Sequence, residues 1–178
     1  MHGVVSLLDQ NHYEKVEGLW AELARKFGLR KIMMTIPYPH FTYQVAGDYD
    51  LTRLEPILVD LAQQQRPFSV KTTGLGIFSG PQPVLYIPVV RSLELSQIQQ
   101  RVWQALSPAG SSLLDYYAPA RWMPHITLEQ GDLNSDSLAE VVRWLGGQAF
   151  DWEIRVDNFA LLFNEGEQHR LRLRVDFA

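Results

Sequence analysis

Apolar residues along this chain recur with two periods, and the alternation between those periods marks out its elements. Residues 13 to 27 place Val16, Leu19, Trp20, Leu23 and Phe27 at the 3–4 spacing of an amphipathic helix, and Gly28 follows where a C-terminal cap belongs. The same spacing predicts helices over residues 51 to 65 (Leu54, Ile57, Leu58, Leu61), 94 to 106 (Leu95, Ile98, Val102, Leu106) and 135 to 146 (Leu138, Val141, Val142, Leu145). Between them lie extended runs. Met1 to Leu8 reads as a first strand, and residues 68 to 79 and 84 to 90 flank the turn-prone Gly80-Pro81-Gln82-Pro83 as an antiparallel pair. Residues 150 to 163 and 169 to 177 repeat that arrangement around Asn164-Glu165-Gly166-Glu167.

The order helix, short strand, helix, strand, strand therefore occurs twice, and a shift of 85 residues, from 40 to 125, aligns the two occurrences. Under it Pro39-His40-Phe41-Thr42-Tyr43 falls on Pro124-His125-Ile126-Thr127-Leu128. The period is longer than that of solenoid repeats, so the duplication predicts two similar lobes facing each other across a cleft within one domain, residues 1–178. Ser107 to Trp122, which holds Pro108, Gly110, Ser111, Ser112 and Pro119, reads as a long loop leading into the second motif, and loops in such places often act as lids.

Composition narrows the chemistry. With 46% hydrophobic and 20% charged residues the chain has the balance of a self-folding globular domain. A net charge of −4 excludes a surface made for indiscriminate grip on nucleic-acid backbone, which draws on Lys and Arg displacing counterions. With no cysteine there is no disulfide framework, thiolate nucleophile or Cys-based zinc site. The apolar start is a few residues long, lacks a cationic lead and runs into Asp9 and Glu14; no stretch approaches the roughly 20 apolar residues that cross a bilayer. A cytoplasmic protein with no membrane partner, acting as a monomer, is expected.

In a strand, residues two apart share a face, so His40 and Thr42 point one way while Phe41 and Tyr43 point the other. His125 and Thr127 likewise oppose Ile126 and Leu128. Each motif thus offers an imidazole and a hydroxyl from an apolar backing. Imidazole, with an unperturbed pKa of about 6.5, suits both the taking and the giving of a proton. Two of them suffice for phosphodiester cleavage without a metal, and the hydroxyls can donate to non-bridging phosphate oxygens. The alternative is a pair of ordinary strand histidines; the repeated Pro-His-x-Thr context argues against it. No His-Glu-x-x-His, cysteine pair or carboxylate cluster accompanies either motif, so no metal and no cofactor is expected.

The two His-x-Thr-x motifs, their spacing and the duplicated order of elements resemble the 2H phosphoesterase superfamily, which includes the 2′-5′ RNA ligase and RNA 2′,3′-cyclic phosphodiesterase group. The resemblance spans nearly the whole chain. It implies an α+β fold, bilobal and internally duplicated, with two antiparallel sheets flanked by helices around a central cleft. It implies a substrate as well: an RNA end or nucleotide carrying a 2′,3′-cyclic phosphate or 2′-5′ linkage. One of His40 and His125 would activate water and the other would protonate the departing ribose oxygen, with Thr42 and Thr127 on the phosphate. End joining at the same groups is the reverse reaction, and a nucleotide- or RNA-binding module without turnover is the alternative of a different class. The chain departs from the bacterial RNA-directed subgroup at Gln130, where that subgroup usually has arginine, and at Tyr43-Gln44-Val45-Ala46-Gly47.

Further candidates flank the motifs. Arg121 and Trp122 precede His125 by three to four residues and Tyr38 precedes His40, where side chains could reach phosphate or stack on a base; bracing the strand entry is the structural alternative. Phe78 and Tyr86 could line the groove or pack in the core. Arg170, Arg172 and Arg174 share a face of the last strand, as an RNA-contacting stripe or a solvated outer surface. His2, His12 and His169 lack the motif context and receive no role.

Overall fold

The computed structural model describes residues 1–178, the side chain of Ser135 excepted. Strand β1 (His2–Leu7) leads into helix α1 (Gln10–Phe27), which starts on the Asp9 side chain, an acceptor for the His12 amide, and ends at Gly28 with φ of 75°. That left-handed cap is the conformation glycine adopts without steric cost. A short helix α2 (Lys31–Thr35), β2 (His40–Ala46) and β3 (Asp48–Tyr49) follow, then α3 (Leu51–Gln63), β4 (Phe68–Lys71), β5 (Gly76–Phe78) and β6 (Val84–Pro88). The remainder is α4 (Leu93–Leu106), β7 (Gly110–Ser111), β8 (His125–Glu129), α5 (Ser135–Leu145), β9 (Glu153–Val156), β10 (Asn158–Glu165) and β11 (Gln168–Asp176). Among the described residues no helix is long and apolar enough to cross a membrane.

Seven strands form an antiparallel sheet in the order β11-β10-β1-β2-β8-β6-β5, while β3 pairs with β7 and β4 with β9. The large sheet has two halves, which meet where Phe41 on β2 pairs with Ile126 on β8. The expected α+β architecture of antiparallel halves with flanking helices is present, and the two halves are continuous through that junction.

The two repeats exchange elements. Each run expected as one strand after a motif is two: 68 to 79 divides into β4 and β5, and 150 to 163 into β9 and β10. Gly74, with φ of 57°, and the Thr72 hydroxyl donating to the Phe150 carbonyl stand at the first division. β4 and β9, equivalent under the 85-residue shift, then pair with each other. The β5–β6 hairpin joins β8 of the second motif, whereas β10–β11 joins β1 and β2 of the first. Helices cross over as well: α1 packs on β8 and α4 on β2. Neither half of the chain closes its own side of the sheet.

Phe41, Tyr43, Ile126 and Leu128 are fully buried in the main core with Leu23, Leu54, Leu95 and Leu145. Burying a side chain of this size contributes roughly 1.5–3 kcal/mol, so a one-residue slip of either motif strand would forfeit several such contributions at once. The register that buries these four leaves their neighbours His40, Thr42, His125 and Thr127 half-buried on the other face. Ser107 to Trp122, expected as an irregular loop, carries β7 and two single 3₁₀ turns and is tied down by Leu114 donating to the Val45 carbonyl. It forms a wall of the cleft.

Candidate functional site

Both motifs are built alike. Continuing the Phe41–Ile126 register by one residue sets His40 across from Thr127 and Thr42 across from His125. The two histidines are then diagonal neighbours on one face, each beside the other motif's threonine. Pairing of β2 with β8 is confined to that junction, so the strands part on either side of it. Each strand also carries a β-bulge one residue after its threonine. Val5 pairs with Thr42 but Val4 with Gln44, leaving Tyr43 as the extra residue; Tyr86 pairs with Thr127 but Leu85 with Glu129, leaving Leu128. A bulge bends its strand and reverses the alternation beyond it. Gln44 and Glu129 consequently turn into the core, and Val45 and Gln130 turn to the cleft.

The imidazoles are oriented by backbone. Nδ1 of His40 lies 2.5 Å from the Tyr38 carbonyl and Nδ1 of His125 lies 2.7 Å from that of Met123. Proline explains the repetition. It keeps the residue before it extended, and here the carbonyl of that residue, two positions ahead of the histidine, meets the ring. A carbonyl only accepts, so Nδ1 carries the proton and Nε2 is the nitrogen left to the cleft. Burial is the main influence on both rings and holds each below the ordinary imidazole range, His40 at about 4. The carbonyl contacts act the other way in both, and the nearby His125 lowers His40 further. In the unliganded protein at neutral pH both Nε2 atoms are therefore proton acceptors, and either can return a proton once an anion is bound between them.

Two indoles fasten the motif strands from behind. Trp122 Nε1 donates to the Thr42 carbonyl at 2.8 Å, and Trp20 Nε1 to the Thr127 carbonyl at 3.2 Å. Trp122 is 1% exposed and its ring stacks on Tyr43, so its expected place at the groove is corrected: it braces β2 from the core. The Tyr38 side chain packs with Val5, Leu7, Ala160 and Leu162, of which Val5 and Leu162 line the cleft, and its carbonyl meets the His40 ring. Arg121 does stand at the cleft rim, its guanidinium 5.1 Å above the Tyr116 ring and ion-paired with Asp115. Tyr86 packs against His125, with centroids 5.1 Å apart, while Phe78 stacks on Tyr86 and meets His125 edge-on at 5.0 Å. Gly76 makes that stack possible, since a Cβ there would lie 2.3 Å from the Tyr86 ring.

His40, Thr42, His125 and Thr127 line one cavity of about 310 Å³. His2 and His169, given no role above, line it too. His2 accepts from the Asn164 amide through Nδ1 and faces Asp48, and His169 contacts the Thr35 and Met1 carbonyls. His2 reaches the cleft from β1, which pairs directly with β2, and His169 from β11, which β10 carries to the first motif's side; no local pattern around them announces it. His12 remains outside, capping α1 with Asp9. The arginine stripe of β11 is an ion-paired outer edge: Arg170 meets Glu165, Arg172 meets Glu55, and Arg174 meets Asp157 and Asp176.

Residues 14–168 match the family model of the 2′-5′ RNA ligase superfamily. Two Bacillus cereus proteins, from strains B4264 and ATCC 14579 and each named "Putative phosphoesterase", are 27% identical over 128 residues, 70% of this chain and 70% of theirs. Among solved structures, TT0787 of Thermus thermophilus superposes with a TM-score of 0.69 at 16% identity, over 99% of this chain and 97% of that one. E. coli LigT, solved with 3′-AMP, superposes with a TM-score of 0.62 at 15% identity over the same shares. The duplicated His-x-Thr strands, the shared fold and a family match across most of the sequence lead to one conclusion: this chain belongs to the 2′-5′ RNA ligase superfamily and is a 2H-type phosphoesterase.

Proposed function

We propose that this protein hydrolyses 2′,3′-cyclic phosphate or 2′-5′ phosphodiester bonds of RNA or nucleotides by acid–base catalysis between His40 and His125, without a metal. The observation that carries this reading is the matched pair of imidazoles in one cleft, each pinned through Nδ1 and each beside a threonine. One Nε2 takes the proton of an attacking water as its oxygen bonds to phosphorus. The other ring, protonated, gives its proton to the ribose oxygen as the P–O bond breaks. Thr42 and Thr127 donate to the non-bridging oxygens, where charge gathers in the transition state. Nucleotide binding is supported by the similar fold of E. coli LigT, solved with 3′-AMP. The family's name favours a second reading at the same groups, the joining of RNA ends through a 2′-5′ linkage.

Among the described residues no three His, Cys, Asp or Glu side chains are grouped to hold a metal ion, so the reaction is tested in chelator. Purified protein should open adenosine 2′,3′-cyclic phosphate there. His40→Ala and His125→Ala should each lower kcat by about 10²- to 10⁴-fold while melting like the parent. Full activity in either variant overturns the reading; tight nucleotide binding without turnover would favour the binding-module alternative.

A further inference from the structure

The two histidines are aimed by backbone that is itself held from outside the cleft. In each motif three consecutive carbonyls precede the ring, and each has its own donor. The first, of Pro37 or Trp122, accepts from a side chain: the Tyr13 hydroxyl at 3.3 Å in one repeat, the Arg91 guanidinium at 3.0 Å in the other. The second, of Tyr38 or Met123, meets the imidazole. The third, of Pro39 or Pro124, accepts the amide of the residue that follows β1 or β6, Leu8 at 3.1 Å or Val89 at 3.0 Å. The 85-residue shift carries 37, 38 and 39 onto 122, 123 and 124, so the ladder of carbonyls is duplicated, and what differs is the identity of its first donor.

Arg91, in the turn before α4, spends its whole guanidinium there. Nη1 donates to the Trp122 carbonyl, Nη2 to that of Pro119 at 2.5 Å and Nε to the Ser96 hydroxyl at 3.1 Å, and the guanidinium carbon lies 5.8 Å from the centre of the Trp122 ring. A planar guanidinium, with its donors in a fixed fork, sets the spacing of two carbonyls as a flexible ammonium does not. Trp122 in turn holds the Thr42 carbonyl. One exposed arginine therefore bears on both motifs: through Met123, the next residue, on the ring of His125, and through the indole on the strand that carries His40. Tyr13 makes a single contact of this kind, from the start of α1 to the approach to His40.

We propose that Arg91 and Tyr13 are positioning residues for the acid–base pair, each fixing the carbonyl ladder that keeps Nδ1 protonated and Nε2 turned to the cleft. The inference rests on the acid–base reading above. Neither side chain lines the cavity of the motif residues, so both act on the reaction through the orientation of the rings. Orientation has leverage, because a displacement of about 1 Å at a reacting group can cost about 10²-fold in rate.

Arg91→Ala and Tyr13→Phe separate this role from simple support of the fold. Steady-state kinetics use adenosine 2′,3′-cyclic phosphate, and proton–nitrogen correlation spectra at neutral pH read which nitrogen of each ring carries the proton. Arg91→Ala, which loosens both motifs, should lower kcat about tenfold or more and Tyr13→Phe about threefold, with KM within about twofold of the parent. The Nδ1–H tautomer should give way to a mixture at His125 in the first variant and at His40 in the second. Because Arg91 is exposed, guanidinium ion far below denaturing concentration should raise kcat of Arg91→Ala by roughly threefold or more and leave Tyr13→Phe unchanged. Unaltered tautomers in both variants, or a fall in kcat with no change of tautomer, overturns the inference. Should Arg91→Ala fail to fold, Tyr13→Phe, which keeps the packed ring, decides alone. Full activity in His40→Ala removes the acid–base reading, whereas the tautomers still report whether the two side chains aim the rings.

Discussion

β2 and β8 carry the same chemistry in different surroundings. In both, a proline precedes the histidine, a backbone carbonyl holds Nδ1, a bulge follows the threonine, and a tryptophan from the other repeat's side fastens the threonine carbonyl. The differences begin one shell out. His125 is walled by the aromatic pair Phe78 and Tyr86, whereas the cleft around His40 is lined by Val5, Ile36, Val45 and Leu162. At the equivalent inward positions, Gln44 is bonded to Ser107 and Tyr49, while Glu129 receives the Asp132 amide on Oε1 and leaves Oε2 buried without a partner. On the proposed reading the motif groups face the phosphate, and phosphoryl transfer needs matched donors and acceptors on opposite sides, which the two-fold arrangement supplies. The groups one shell out do not share that symmetry.

The comparison can be broken first at the indoles. Trp122→Phe and Trp20→Phe each strip a threonine carbonyl of its buried donor and should cost about 1–3 kcal/mol of stability. If the two clamps are equivalent, kcat should fall by a similar factor in both variants, with KM little changed; a loss confined to one would show that the motifs are not held alike. Denaturant melts and steady-state kinetics read both quantities.

The histidines sharpen it next. With His40 at about 4 when folded and near 6.5 when unfolded, the unfolded chain binds the extra proton between those values. Stability should therefore decline as pH falls from about 6.5 toward 4, and His40→Gln should flatten that decline by on the order of 1–2 kcal/mol. For the same reason kcat/KM, which reports the free enzyme, should peak on the acid side of pH 6.5. An optimum above pH 7.5 would contradict the low values of both rings.

The smallest effect concerns Glu129. Burial raises its carboxyl above the ordinary range, so the folded state holds a proton that the unfolded state has released, and stability is lost as pH rises through that raised value. Glu129→Gln should raise stability by about 1 kcal/mol at pH 7.5 and leave it unchanged near pH 4, where the carboxyl is already neutral. Destabilisation at both pH values would mean that the carboxyl has a partner of its own.

Much of this was legible in the chain. Helix positions followed from 3–4 spacing, because an amphipathic stripe is needed wherever a helix covers a sheet. The motif faces followed from two-residue alternation, and duplication brought His40 and His125 together as candidates before any contact was known. The breaks at Gly74 and Asp157 were hidden, since an extended chain keeps its pattern when it changes pairing partners. Trp122 was misplaced for a related reason. An aromatic beside a motif reads the same whether it lines a groove or braces a strand from behind, and burial decides which.

What the sequence determined by itself was local: which residues are extended or helical, which side chains share a face, and which four stand as candidates for the proton and phosphate chemistry. Tertiary structure alone decided that β5–β6 crosses to the second motif and β10–β11 to the first, and so brought His169 of β11 to the cavity of the motif residues. The physical reason is range. Alternation and capping act within a few residues and leave a signature in the order of amino acids, whereas strand exchange depends on which distant surface a completed element can bury, and that is settled only when the whole sheet closes on its core.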